Sequence, residues 1–208
     1  MAARQLSNEQ FVEQHAKEGC IGLAGGNTLV DRAIRRAQRA LPGARGDSAW
    51  SHAFLFSGRR VDGHFWVLES DIEIHRRHVR LGVQENRAQK YFDEGEYPNL
   101  AILDFELSQD AVRQVLTEGL ELMSGRSHYS LREIVGTMLA LRNTSLRSRE
   151  NVLAREGALY CSAFVTHCYA RAGIELAREL KTKNTTPQDI ADTTAPHRAH
   201  LLVRRPAI

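Results

Sequence analysis

Apolar residues recur along the chain in two patterns, as short continuous runs and as longer stretches with helical spacing. Short runs bounded by turn residues are typical of buried strands. One run is apolar on both faces apart from Ser51 and His52, which predicts a central strand covered on both sides. The predicted strands span residues 20–24, 50–56, 64–70, 100–105 and 200–204.

The helical spacing predicts amphipathic helices, several of which have recognisable ends. Ser7 or Asn8 caps the first helix, and Ser130 with Glu133 forms a capping box that opens a later one. Gly125 ends the helix that precedes this box, because glycine readily adopts the left-handed conformation found there. The predicted helices span residues 7–17, 29–41, 108–124, 130–141 and 161–172, with a short helix after Thr186.

Composition and charge narrow the class of protein. A chain of 208 residues that is 42% hydrophobic can bury a sizeable core, and we expect one domain over residues 1–208. The net charge is only +3 and no nucleic-acid motif occurs, so nucleic acid is not an expected partner. The N-terminal region lacks a continuous apolar run, which predicts neither a signal peptide nor a membrane anchor. We expect synthesis in the cytosol, with later export by a dedicated secretion system left open.

Cys161 stands where a helix is predicted to begin, a few residues after the break at Gly157. A helix N-terminus has unpaired N–H groups and a partial positive charge, both of which stabilise a thiolate. Cys161, Val165 and Cys168 share one face of this helix, so that face is expected to pack inward. Alternatively, Cys161 is a small buried hydrophobic residue, as Cys20 and Cys168 are expected to be.

His52 supplies a candidate base in the predicted central strand. This strand and the next form a predicted hairpin, in which paired residues keep a constant sum of residue numbers. A turn about residues 60–61 places Glu69 directly opposite His52, whereas a turn about Asp62–Gly63 places Glu73 there. We favour Glu69 because it still belongs to the apolar strand. Alternatively, Glu69 is a surface carboxylate and His52 a hydrogen-bonded core histidine.

Two histidine pairs have a spacing that allows a shared metal ion on a helix. Neither pair is accompanied by the glutamate or the clustered cysteines that mark a zinc site. We therefore expect no metal and no other cofactor. The two pairs are His75 with His78 and His197 with His200.

A basic face on the predicted helix 29–41 bears on the question of partners. Its outward residues include Arg35 and Arg36, and such a face is either solvated or in peripheral contact with an anionic surface. The glycine-rich turn before this helix, residues 25–28, lacks the lysine and the spacing of a phosphate-binding loop. No nucleotide is therefore expected there.

The order of these parts resembles the circularly permuted papain-like amidases of the NlpC superfamily. In that branch the histidine strand comes before the cysteine helix, as it does here. The resemblance implies an α+β, permuted papain-like fold in which an antiparallel sheet packs against the cysteine-bearing helix. It implies that Cys161 is the nucleophile, His52 the base and Glu69 the residue that orients the base. The matching segments are Ser51-His52-Ala53, Val67-Leu68-Glu69 and Tyr160-Cys161-Ser162.

The resemblance covers most of residues 19–203, but it explains neither the segment 142–156 nor the basic face that contains Arg35 and Arg36. A peripheral N-terminal helix lies within residues 1–18, and residues 142–156 form a polar insertion. Around the nucleophile, the backbone N–H of Cys161 is a candidate donor to an oxyanion. Tyr160 either donates to the same oxyanion or packs against the helix, and Ser162 is a further candidate for substrate binding.

The expected function is a thiol hydrolase that cleaves an amide, such as a cell-wall peptide or an isopeptide bond, through an acyl-enzyme on Cys161. An alternative applies the same triad to lipid esters, as a phospholipase-like hydrolase or an acyltransferase. Amide and ester hydrolysis share an acyl-thioester intermediate, so the triad alone fits both. A further alternative is a non-catalytic binding domain with the same fold. The expected partner is thus a peptide or a lipid substrate.

Overall fold

A computed structural model of the chain shows an α+β protein with six strands and several helices. The sheet contains β1 (Ile21–Gly25), β2 (His52–Arg59), β3 (Phe65–His75), β4 (His78–Arg87), β5 (Asn99–Asp104) and β6 (Arg198–Val203). The structure describes residues 6–39, 48–75, 78–125, 161–176 and 185–204, and for residues 71–75 and 78–81 the backbone alone.

The six strands form one sheet in the order β4-β3-β2-β1-β5-β6, and each neighbouring pair is antiparallel. β1 lies near the centre of the sheet, between β2 and β5. All five of its residues are buried, because elements cover both faces of the sheet at this point. The α+β class and the antiparallel sheet expected from the sequence are therefore confirmed.

Helices and turns begin and end largely where capping residues predict. Ser7 caps α1 (Asn8–His15), and Ser108 and Gly125 bound α3 (Gln109–Ser124). Thr186 caps the short α5 and places Pro187 in its first turn. The remaining helical segments are α2 (Leu29–Arg39), a 3-10 turn (Ala88–Tyr91), α4 (helical over residues 161–171) and α5 (Pro187–Ala191).

The hairpin arm formed by β3 and β4 is longer than the sequence pattern indicates. The expected strand 64–70 continues to His75, and a further strand follows from His78 to Arg87. The polar and basic residues of this arm hide the alternation that marks a half-buried strand. The predicted helix 130–141, the polar insertion 142–156 and Tyr160 lie outside the described residues.

Strand alternation gives the sheet two apolar faces, each of which packs against different elements. One face carries Ala53 and Leu68 and packs with α3 and α4, forming what we call the α4-side core. The other carries Phe54 and Val67 and packs with α1 and the 3-10 turn, forming the α1-side core. No helix in the described part of the chain is long and apolar enough to cross a membrane.

The ring of Phe54 in β2 packs directly over Gly22 in β1, on the face of the sheet toward the α1-side core. A Cβ atom at this position would lie 2.1 Å from the ring of Phe54, so any side chain would displace that ring. The Phe54 ring stacks on Tyr91 with the two centroids 4.3 Å apart. Gly22 therefore leaves the space that this aromatic stack requires.

Candidate active site

The hairpin of β2 and β3 forms with a register that lies between the two that the sequence allowed. Phe54 pairs with Glu69, so His52 lies diagonally across from this glutamate. The register shifts between Phe56 and Gly58, and Gly58 adopts the left-handed φ of +104° that a bulge favours. Direct opposition of His52 to either Glu69 or Glu73 is therefore wrong.

The predicted contact between the imidazole and Glu69 is nevertheless present. His52 Nε2 lies 2.8 Å from Glu69 Oε2. Diagonal neighbours across an antiparallel pair remain within reach of long side chains, which explains why the register error does not abolish the contact. The side chain of Glu69 is fully buried, whereas 14% of the His52 side chain is exposed. The pair thus joins a buried carboxylate to an imidazole with some access to solvent.

Glu69 accepts hydrogen bonds on both of its carboxylate oxygens. Oε1 accepts from Asn86 Nδ2 and from Lys90 Nζ, each at 2.7 Å. Oε2 accepts from Tyr91 Oη in addition to its contact with His52. With β4 and the 3-10 turn both contributing donors, the carboxylate is held in one orientation.

The electrostatic balance at Glu69 keeps the carboxylate ionised. Burial by itself raises the pKa of Glu69, because it removes water from the charged form. The hydrogen bond from His52 and the positive charge of Lys90 outweigh this effect and hold the pKa well below its usual value of 4.5. Glu69 is therefore an anion under ordinary conditions and an acceptor for the imidazole N–H.

Tyr91 links this carboxylate to the α1-side core. Its ring is stacked on Phe54, and its backbone carbonyl accepts a hydrogen bond of 2.8 Å from Asn8 Nδ2 in α1. The sequence analysis identified none of Tyr91, Asn86 and Lys90 as a partner of Glu69. Recognition of β4 as a strand would have placed Asn86 beside β3, where it pairs with Val67.

The residue before His52 is fixed by a separate set of hydrogen bonds. Ser51 Oγ donates to Asp31 Oδ1 at 2.7 Å and accepts from the backbone N–H of Gly26 at 3.0 Å. Ser51 is buried, and Asp31 belongs to the first turn of α2. The start of β2 is thereby tied to the turn that leads from β1 into α2, which restrains the backbone of His52.

Cys161 lies in α4 with its predicted inward face confirmed. Its side chain is fully buried in the α4-side core, together with Phe164, Val165 and Cys168. The Cys161 Sγ lies 3.9 Å from Ser162 Oγ, and Ser162 is buried as well. Gly173 follows with a left-handed φ of +75°, as expected for a helix end. Because residue 160 is not described, the first residue of this helix stays a prediction.

The structure brings His52 and Glu69 together and places Cys161 on the other side of the sheet. The His52 ring lies beside Phe54 and Tyr91, with centroid distances of 6.2 and 6.3 Å, in the α1-side core. Cys161 belongs to the α4-side core, which also contains Ala53. Since adjacent residues of a strand point to opposite faces, the alternation assigns His52 to the face opposite Ala53, whereas Cys161 packs in the core that contains Ala53.

A second carboxylate fastens α4 to α3. Glu118 of α3 is buried, and its Oε1 lies 2.9 Å from His167 Nε2. Its Oε2 accepts from Arg171 Nε, also at 2.9 Å. His167 and Arg171 are one helical turn apart on α4, so one carboxylate binds two successive turns. Sequence reasoning missed this contact because it joins two helices far apart along the chain.

The other two cysteines are poor nucleophiles. Burial raises the pKa of Cys20 to about 11. Burial, with the nearby charge of Glu118, also raises the pKa of Cys168 well above its usual value. A thiol is reactive only as its thiolate, so these two residues behave as the small core residues that the sequence predicts.

Of the histidines considered as metal ligands, His197 and His200 have other neighbours, and the side chains of His75 and His78 lie outside the described part of the structure. His197 stacks on Phe105, and its Nδ1 lies 2.8 Å from the carbonyl oxygen of Ala195. His200 stacks on His15, with the centroids 4.1 Å apart. Among the side chains that the structure describes, no group of three or more histidine, cysteine, aspartate or glutamate residues is arranged to hold a metal ion.

Comparison with known proteins supports the architecture alone. No protein-family model matches the chain, and no curated protein matches it. A similar solved structure is the metalloprotein yiiX from Escherichia coli O157:H7, with a TM-score of 0.52 and 13% sequence identity. The match covers 91% of this chain and 97% of that one. At this identity the likeness shows a shared α+β fold.

Proposed function

We propose that the chain is a thiol hydrolase of the permuted papain-like type that cleaves an amide through an acyl-thioester on Cys161. The observation that carries the proposal is the buried Glu69 carboxylate, which binds His52 Nε2 at 2.8 Å. A buried anion on one ring nitrogen fixes the tautomer and assigns the role of base to the other nitrogen, Nδ1.

The proposed reaction follows the usual order for a cysteine nucleophile. His52 Nδ1 takes the thiol proton, and the Cys161 thiolate forms a bond to the carbonyl carbon. The carbonyl oxygen becomes an oxyanion, for which the backbone N–H of Cys161 is the candidate donor. Collapse breaks the C–N bond, and the imidazolium gives its proton to the leaving amine. Water, deprotonated by His52, then hydrolyses the thioester and restores the thiol.

This mechanism requires the thiol and the imidazole to meet at the beginning of β2. His52 is the first residue of that strand, and its ring is partly exposed. The proposal therefore requires the Cys161 thiol to reach His52 Nδ1 at this end of the sheet.

A second candidate is a non-catalytic binding domain, and the position of Cys161 favours it. The thiol is fully buried in the α4-side core, while His52 faces the α1-side core. In this candidate Cys161 is a core residue, and the pair of His52 with Glu69 stabilises the hairpin. The two candidates differ in the chemical reactivity of Cys161, which is directly measurable.

Limited alkylation with iodoacetamide, mapped by mass spectrometry across a range of pH, separates the two. A hydrolase is expected to label Cys161 far faster than Cys20 or Cys168, with a rate near neutral pH that falls in His52→Ala. Thermal melts of His52→Ala check that the fold persists. Equal labelling of the three cysteines would contradict the enzyme proposal. So would a Cys161 alkylation rate that is the same in wild type and in His52→Ala.

The substrate class follows from a side-by-side assay. Purified protein is incubated with cell-wall peptide fragments, an isopeptide-linked peptide and phospholipid vesicles, with Cys161→Ala as the control. Release of amine from the peptides supports the amidase, and release of fatty acid supports the lipid-ester alternative. A product that forms equally with Cys161→Ala excludes this cysteine from the reaction.

A further inference from the structure

Lys90 and His52 bind the same carboxylate from two sides. Lys90 Nζ lies 2.7 Å from Glu69 Oε1, and His52 Nε2 lies 2.8 Å from Glu69 Oε2. The carboxylate is fully buried, and only 27% of the Lys90 side chain is exposed. An ammonium group and an imidazole therefore share one anion in a setting that water screens weakly.

We infer that Lys90 is a positioning residue that lowers the affinity of His52 for a proton. In a simple pair, an ionised glutamate stabilises the protonated imidazole by direct attraction. Here the ammonium of Lys90 already neutralises Glu69. Protonation of His52 therefore creates a second positive charge around one negative charge, and the two cations repel each other. Removal of the Lys90 charge is therefore expected to raise the affinity of His52 for a proton.

Lys90 also restricts the orientation of the carboxylate. With Oε1 bound by Lys90 and Asn86, Oε2 points to His52 and Tyr91. Loss of the ammonium removes one of the two bonds that hold Oε1. Lys90 thus acts on His52 both through charge and through the geometry of Glu69.

Tyr91 and Asp31 also contribute polar groups close to this network. Tyr91, in the same 3-10 turn as Lys90, donates its hydroxyl to Glu69. Asp31 of α2 binds Ser51, the residue before His52, and Thr28. A negative charge at Asp31 opposes the effect of Lys90 on the imidazole. Lys90 differs from Asp31 in that it binds the carboxylate that His52 itself contacts.

The test is the NMR titration of the His52 ring in the full chain, in wild type and in two variants that remove the charge. Lys90→Met removes the ammonium, and Lys90→Gln keeps a donor without charge. We expect the His52 midpoint to move to higher pH by about one to two units in each, from the Coulomb energy of two charges about 6 Å apart in a partly screened site.

Two controls isolate the charge of Lys90. Lys90→Arg keeps the positive charge, and Lys17→Met removes a lysine from another carboxylate of the sheet, Asp104, which it contacts at 2.6 Å. Both are expected to leave the midpoint within a few tenths of a unit. An unchanged or lowered midpoint in Lys90→Met and Lys90→Gln would overturn the inference, and so would an equal shift in Lys17→Met.

The inference rests on the proposed function only in giving His52 a catalytic use for its neutral form. The alkylation of Cys161 keeps the two claims apart. If its rate ignores His52 while Lys90→Met still moves the His52 midpoint, the hydrolase fails and the role of Lys90 stands. If the rate depends on His52 but the midpoint does not move, only the role of Lys90 fails.

Discussion

The described part of the chain contains two histidine–carboxylate pairs that have nearly equal separations and different surroundings. His52 and Glu69 lie on neighbouring strands and face the α1-side core, with a separation of 2.8 Å. His167 and Glu118 join α4 to α3, with a separation of 2.9 Å. Glu69 binds further donors that are themselves partly or fully buried, whereas Glu118 is completed by Arg171, whose side chain is 57% exposed.

The comparison teaches that a short contact does not identify a catalytic pair. What distinguishes Glu69 is complete burial, a pKa lowered by His52 and Lys90 against the effect of burial, and donors from β4 and the 3-10 turn. These features hold an imidazole in one tautomer. The Glu118 pair instead binds two turns of one helix, which fastens α4 in place.

The largest difference is expected when each glutamate is replaced by glutamine. Glu69→Gln leaves the buried hydroxyl of Tyr91 and the partly buried ammonium of Lys90 without their anion, which lowers the free energy of unfolding by about 3 kcal/mol. Glu118→Gln lowers it by about 1 kcal/mol, because the partners of Glu118 reach solvent by small movements. Urea denaturation of both variants measures the contrast. Equal losses would show that the two pairs have the same structural role.

Replacing the histidines sharpens the comparison in terms of reactivity. If His52 is the base, His52→Gln lowers the rate of Cys161 alkylation near neutral pH by about 100-fold, within the usual range for a general base. In His167→Gln the alkylation rate should stay within about 2-fold of the wild-type rate, because His167 joins α4 to Glu118 and does not accept the thiol proton of Cys161. Similar reductions in both variants would point to a shared structural effect.

Acid denaturation separates the carboxylates by their ionisation. The pKa of Glu69 is lowered in the folded state, so its contribution to stability is present above the unfolded value near 4.5 and is lost as pH falls below it. The loss of stability reaches about 1.4 kcal/mol per pH unit over the range in which the folded protein binds one proton fewer than the unfolded protein. Stability curves measured from pH 6 downward, roughly the range in which carboxyl groups titrate, should therefore lack this component in Glu69→Gln. If stability fell with pH equally steeply in wild type and in Glu69→Gln, the pKa of Glu69 would not be lowered in the folded protein.

The smallest effect is expected at Arg171. Its side chain is more than half exposed, so Arg171→Ala should lower the free energy of unfolding by about 0.5 kcal/mol. The Cys161 alkylation rate should stay unchanged, because His167 still binds Glu118. Double-mutant cycles with Glu118→Gln measure the pairwise term. A coupling free energy as large as the whole loss caused by Glu118→Gln would show that Arg171 alone accounts for the stabilisation by Glu118.

The sequence predicts much of the fold because local signals mark the element ends. Ser108 and Gly125 bound α3, and Thr186 caps α5, as expected from capping rules. The apolar runs locate the ends of the central strands β1, β2 and β5 to within three residues. The arm of β3 and β4 escapes this approach, since its polar residues show no clean alternation and its pairing depends on contacts between strands.

The candidate site is only partly accessible to the same reasoning. The hairpin count identified Glu69 as the partner of His52 because all the registers considered keep both residues on one face. It missed the bulge next to Gly58, which lowers the sum of paired residue numbers by one, from 124 for Gly58 with Trp66 to 123 for Phe56 with Val67. It also missed Lys90, since a turn that follows a strand shows no sign of where its side chains will lie.

The lack of a side chain at Gly22 in β1 helps to determine the geometry of the Glu69 carboxylate on β3. The ring of Phe54 occupies the space that any side chain at Gly22 would take, and Tyr91 rests on that ring while its hydroxyl reaches Glu69. Gly22→Ala would push the first ring, tilt the second and pull the donor away from the carboxylate. Gly22→Ala adds no charge and removes no polar group. It is nevertheless expected to alter the protonation equilibrium of His52 through the contact between the two rings.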